Sequence, residues 1–184
     1  MCRFLSASVL KNGDLVCNPW TDLHEDLIAM SNLHDNRDGN FARVEFTPPE
    51  PKDLDKPEKY LLKIDEDITP DWFDDGMKEK AAEELRGIIS RMIISGDVTC
   101  LIGGVYILSA KARVQFTRNA LIKVMLGSSN VGVMRGSSNV GEMMGSSNVG
   151  VMWGSSNVGV MMGSSNVGEM WESSKVGEMR GSSN

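Results

Sequence analysis

Histidine occurs twice in this chain and cysteine three times, aromatic residues make up 6%, and 19 Lys and Arg face 25 Asp and Glu. Each shortage removes a class of function. Cys2, Cys17 and Cys100 are odd in number and far apart, with no CxxC pair, which argues against a disulfide framework and against a zinc site. A formal net charge of −6 provides no excess of cations to displace the counterions of a phosphate backbone, so nucleic-acid binding is not expected. No apolar run approaches the roughly 18 residues of a membrane span, and the opening "MCRFLSASVLKNGDL" has too short an apolar stretch for a secretory signal. A cytoplasmic protein with reduced thiols and no membrane partner is the expectation. P-loop, GxGxxG and GxSxG patterns are absent, and no cofactor or metal is expected.

The charge is also unevenly placed. Of the 44 charged residues, seven lie from Gly127 onward: Arg135, Glu142, Glu169, Glu172, Lys175, Glu178 and Arg180. That nearly neutral part is a nine-residue phrase, S-S-N-V-G-(V/E)-M-x-G, whose Ser pairs begin at Ser128, Ser137, Ser146, Ser155, Ser164, Ser173 and Ser182. Its Val (131, 140, 149, 158, 167, 176) and its Met (134, 143, 152, 161, 170, 179) each keep one place in the phrase. The segments "NALIKVMLG" and "SAKARVQFT" read as weaker copies ahead of it.

A helix is excluded, because each unit brings two Gly, each costing about 0.8–1 kcal/mol relative to Ala in a helix interior. A stacked β-solenoid fits, with short strands pairing from coil to coil and Gly and Ser at the corners. Nine residues would close around almost no interior. Two units per coil leave room for Val and Met, and about three such coils are expected after Gly127. Residues eighteen apart then become vertical neighbours. Arg135, Trp153 and Trp171 form one column, where Arg over Trp is expected to gain about 0.5–1 kcal/mol. Met144, Met162 and Arg180 form the opposite column, and the Asn residues make ladders of their own. A calcium roll is a poor alternative, since the units contain no Asp to ligate the ion. An ice-binding surface is disfavoured because the units contain no Thr.

The part before the repeats reads as a small α+β domain. "FLSASVL", the turn "KNGD" and "LVC" form a hairpin signal. "TDLHEDLIAM" reads as a short helix with Thr21 as N-cap and Leu23, Leu27, Ile28 and Met30 at helical spacing. "FARVEF" and "YLLKID" read as strands on either side of a Pro-rich loop. "TPDWFDDGMKEKAAEELRGIISRMII" carries the one longer helix, with an apolar stripe of Leu85, Ile88, Ile89, Met92 and Ile93. "VTCLIGGVYILS" reads as two buried strands about a Gly-Gly turn. The expected division is an α+β head over 1–104 and a β-solenoid over 105–184, with degenerate coils at 105–126 and regular ones at 127–184.

"CRFLSASVLKNGDLVCNP", "TDLHEDLI", "FARVEFTPPE" and the SSxVGxM units together resemble a family of proteins from bacteria and their phages, in which a comparable head precedes a variable number of nonapeptide repeats. The resemblance spans nearly the whole chain. It implies this architecture and a bacterial or phage-infected cell as its setting, and it brings no catalytic residue.

Two residues are leads for an enzyme. Loss of the initiator Met would leave Cys2 at the N-terminus, similar to the start of some class II amidotransferases and bile-salt-type amidohydrolases, where the α-amine is the base beside the thiol. Their folds need more chain than this head, and Arg3 stands where many amidotransferases have glycine. His24 lies among Asp22, Glu25 and Asp26, but Ile28 occupies the place of the second His of an HExxH motif, and an acidic helix start with a surface His is the plainer reading. His34, Asp35 and Asp38 in "HDNRDGN" are ordinary turn chemistry or a cation loop.

No catalytic set closes, so the expected function is non-enzymatic: a scaffold or interaction protein whose solenoid surface binds a protein partner or self-associates through its C-terminal coil. The binding surface would be Arg135, Trp153 and Trp171 with Met144, Met162 and Arg180. The alternative is a small hydrolase or transferase in the head, centred on Cys2 or on His24 with Asp22, and carrying the solenoid as an assembly arm.

Overall fold

The computed structural model describes residues 4–31, 33 and 39–184. After Arg91 the chain divides into two compact units.

The first unit is built on the expected hairpin. Strands β1 (Leu5–Leu10) and β2 (Leu15–Cys17) pair antiparallel with Val9 opposite Leu15. Between them Gly13 holds a φ of 86°, which a side chain would resist, and the Asn12 side-chain oxygen accepts from the Asp14 N–H. Strand β3 (Phe41–Thr47) pairs with β1, and β4 (Leu61–Ile64) closes a four-stranded antiparallel sheet in the order β2-β1-β3-β4. Leu5, Ala7, Val9, Phe41, Val44 and Phe46 are buried along it, and Phe4 and Phe46 pack within 5.5 Å of the Tyr60 ring.

Helix α1 (His24–Met30) begins at Leu23 rather than at Thr21. The Thr21 hydroxyl still receives the Leu23 N–H and donates to Asp26 across 2.6 Å. Of the expected stripe only Leu27 is buried, while Leu23 and Met30 lie exposed. Helix α2 (Asp75–Met92) starts where the Asp74 carboxylate takes the Met77 N–H, and Ala81, Leu85 and Ile89 recur every four residues on its buried face. Ahead of it Asp53 is buried with Lys56 and Lys59, each 2.8 Å from the same carboxylate oxygen. These two ammonium groups pull its carboxyl down to about 2.

The second unit is a β-solenoid of about five turns. Its strands are β5 (Ile93–Ile94), β6 (Asp97–Ile102), β7 (Val105–Leu108), β8 (Arg113–Arg118), β9 (Leu121–Met125), β10 (Asn130–Arg135), β11 (Asn139–Met143), β12 (Asn148–Met152), β13 (Asn157–Met161), β14 (Asn166–Met170) and β15 (Lys175–Met179). Even-numbered strands form one parallel sheet, β14-β12-β10-β8-β6, and odd-numbered strands the other, β15-β13-β11-β9-β7-β5. Each coil therefore takes two nonapeptide units, one per sheet, and three coils follow Gly127. Stacking begins ahead of residue 105, because Ile93 already pairs with Ile107 and Val98 with Val114.

The step between paired residues is 18 where the phrase is regular, as from Val131 to Val149. It falls to 17 from Val114 to Val131, 16 from Val98 to Val114 and 14 from Ile93 to Ile107. The 17-residue step has a local cause at Asn119. There the corner Arg118-Asn119-Ala120 lacks one residue of the later Arg135-Gly136-Ser137-Ser138, and Asn119 itself holds a positive φ of 53° and accepts the Ser137 N–H.

Within each unit Val and Met both point inward although two residues separate them. Val131, Val140, Val149 and Val158 are fully buried, as are Met134, Met143, Met152 and Met161, each worth about 1.5–3 kcal/mol in removed apolar surface. Strict alternation would forbid that arrangement. The glycine between them resolves it: a Cβ on Gly150 would lie 2.6 Å from the Gly132 carbonyl oxygen one coil away, so the backbone here is turned edge-on toward its neighbour. Asn side chains stack between coils, with Asn157 donating to Asn139 at 3.2 Å and Asn166 to Asn148 at 2.9 Å.

Candidate functional site

The head candidates do not assemble into a catalytic centre among the described residues. Cys2, His34, Asp35 and Asp38 lie outside them. His24 is not on the surface as its acidic neighbourhood suggested. It is buried, with Nε2 3.1 Å from the Val44 carbonyl oxygen and Nδ1 3.1 Å from Asp65 Oδ2. Both ring nitrogens thus face oxygen acceptors, and neither presents a lone pair to a substrate or a metal. Asp22 takes part through its backbone alone, its carbonyl accepting the Ser6 hydroxyl at 2.6 Å. Among the described residues no three His, Cys, Asp or Glu gather as a metal would require. No helix there is long and apolar enough to cross a membrane.

The solenoid stacks two of its predicted residues, Trp153 and Trp171. The Trp153 N–H bonds to the Met134 carbonyl and the Trp171 N–H to that of Met152, which stacks the column one coil at a time. The two indoles lie 10° from parallel with centroids 5.3 Å apart, and remain 38% and 48% exposed. The Trp171 indole N–H donates to Glu169 at 3.0 Å. Arg135 stands below them in register, but its guanidinium lies 5.6 Å over the Phe116 ring and not over an indole. Phe116 was missed because the step there is 17 residues, which brings Phe116 beside Val133. No family model, curated protein or solved structure matches the chain.

Beside this column the corner glycines leave a hollow of about 420 Å³, lined by Arg135, Gly136, Trp153, Gly154 and Glu172. Glu172 is anomalous. It holds a φ of 59° at the corner where Gly127, Gly136, Gly145, Gly154, Gly163 and Gly181 stand in the other units. A side chain in that conformation costs about 1–2 kcal/mol.

On the opposite edge Met144 and Met162 are half-buried, and Arg180 pairs with Glu178 through bonds of 2.6 and 3.0 Å. That pairing holds the Glu178 carboxyl below its ordinary range. This edge offers less than the tryptophan edge, since its one cation is already matched.

The last coil differs from those beneath it. Strands β14 and β15 end the two sheets, and Met170 and Met179 are 43% and 50% exposed where the equivalent methionines of earlier coils are fully buried. Asn184 covers only the start of β14, accepting the Val167 N–H at 2.8 Å.

Proposed function

We propose that this is a non-enzymatic interaction protein that assembles through its coils. The observation that carries the reading is the exposure of Met170 and Met179 on a coil otherwise identical in plan to the buried ones. Each earlier coil covers this same surface with the next copy of the phrase, so the chemistry that fits the β14 and β15 edge is a further coil of the same kind, and a second copy of the chain is one that carries it. Strand edges with unmatched N–H and C=O groups invite such addition. A two-fold pair sets the two edges antiparallel, unlike the parallel stacking within the chain, and it closes where a head-to-tail contact would continue as a filament. Bacterial or phage-infected cytoplasm is part of the same proposal, in keeping with three cysteines that are odd in number and widely spaced in the sequence.

Sedimentation of the 184-residue chain over a concentration series tests it, beside a Met170→Lys, Met179→Lys variant. Both substituted side chains are already half in solvent, so the fold should be retained and the circular dichroism melt unchanged. The expected result is a dimer at high concentration that the variant does not form. A monomer throughout, or unchanged association in the folded variant, would overturn the proposal.

A further inference from the structure

The hollow beside Trp153 has three properties that no structural role accounts for together. Its wall carries an exposed indole, its floor is the glycine backbone of two successive coils, and its two charges are opposite, Arg135 at one coil and Glu172 two coils on. The acidic residue is also the one that departs from glycine in the regular phrase, against the conformational preference of its own backbone. A non-glycine residue held in the left-handed region, facing a concavity, points to a use for its side chain.

We infer that this hollow is a binding site for a neutral hexopyranose within a polysaccharide. The C–H face of a pyranose lies against an aromatic ring, and Trp153, with one face stacked on Trp171, is still 38% exposed and lines the hollow. Its hydroxyls require both donors and acceptors at the rim. Arg135 supplies only donors and Glu172 only acceptors. Their charges cancel, so neither an anionic nor a cationic ligand is favoured, and a phosphate would meet the Glu172 carboxylate. Gly136 and Gly154 let the ring approach the backbone closely, since no Cβ intervenes. The hollow, about 420 Å³, is an open groove and not an enclosed cleft, which suits one sugar of a chain lying along the edge. This inference stands apart from self-association, because the site belongs to one edge of a single chain.

Maltohexaose, cellohexaose and mannohexaose are the probes, with a hexagalacturonate as the charged comparison, followed by intrinsic tryptophan fluorescence and saturation-transfer NMR on the full chain. At least one neutral hexamer should bind saturably and more tightly than the hexagalacturonate. Arg135→Ala should weaken that binding about tenfold, the loss expected for a hydrogen bond to a charged group. The decisive variant is Glu172→Gly, which restores the repeated phrase. It should raise the unfolding midpoint of the solenoid while weakening hexose binding about tenfold, so that misfolding cannot explain the loss. Absence of saturable binding by all three neutral hexamers, preference for the charged one, or unchanged affinity in Glu172→Gly would each overturn the assignment.

Discussion

Replacing Gly150 by Ala tests the claim that the middle glycine of each unit is a contact between coils and not a flexible joint. The added Cβ would lie 2.6 Å from the Gly132 carbonyl oxygen, 0.8 Å inside the 3.4 Å at which ordinary contact begins. That oxygen lies between two ladder pairs, Val131 with Val149 and Val133 with Val151, which hold the backbone on either side of it. It cannot withdraw without disturbing those flanking pairs. Overpacking of this kind costs about 1–3 kcal/mol, and with backbone on both sides the upper half of that range applies. For the 93 residues of the solenoid, a loss of about 2–3 kcal/mol lowers the midpoint by about 10–20 °C. The comparison is Gly154→Ala. There φ is +74° and the nearest oxygen lies at 2.9 Å, yet the same corner one coil on accepts a side chain at Glu172. Thermal melts followed by far-UV circular dichroism should rank Gly150→Ala as the more damaging. A Gly150→Ala protein within about 0.5 kcal/mol of the parent, the range of an ordinary surface substitution, would refute the reasoning.

The two serine columns should separate in the same assay. Ser156 donates to the Trp153 carbonyl at 2.7 Å, whereas the buried Ser147 hydroxyl has no protein partner, so Ser156→Ala should cost about 0.5–1.5 kcal/mol and Ser147→Ala little or nothing; the reverse order would contradict the assignment. In the head, the Asp53 carboxyl titrates at about 2, below its ordinary 3.8, because Lys56 and Lys59 bind its charged form. Its contribution is therefore complete above the ordinary value and lost as pH falls through the lowered one. Melts of the parent and Asp53→Asn should differ at neutral pH and converge between about pH 4 and pH 2, and a constant difference across that window would exclude the ion pairs as its source.

The solenoid was legible because identity between units fixes their spacing, and because the volume of Val and Met decides how many units close a coil. The same reasoning correctly stacked Trp153 on Trp171. Legibility ends where the phrase degenerates. Nothing in "RVQFTRNALIKV" announces that the Asn119 corner is one residue short, which hides the place of Phe116 beside Val133 and beneath the Arg135 guanidinium. In the head, the hairpin and long helix followed from turn chemistry and four-residue spacing, which are local. His24 did not follow, because the groups that hold it, the Val44 carbonyl and Asp65, are 20 and 41 residues away in the chain. A polar helix start looks solvated until the strand that covers it is known.

The two-units-per-coil plan gives the repeat number a parity. Removing or duplicating a pair of units, eighteen residues, returns every later side chain to its own column, since paired positions such as Val131 and Val149 are that far apart. Removing a single unit carries each later residue across to the other sheet. Loss of one unit between Trp153 and Trp171 would thus send Trp171 to the methionine edge, breaking the indole stack and carrying Glu172 away from Arg135, while every inward Val and Met still found a neighbour of its own kind. Copy-number changes in this chain are therefore of two sorts, even ones that alter length alone and odd ones that rewrite the surface beneath an unchanged core.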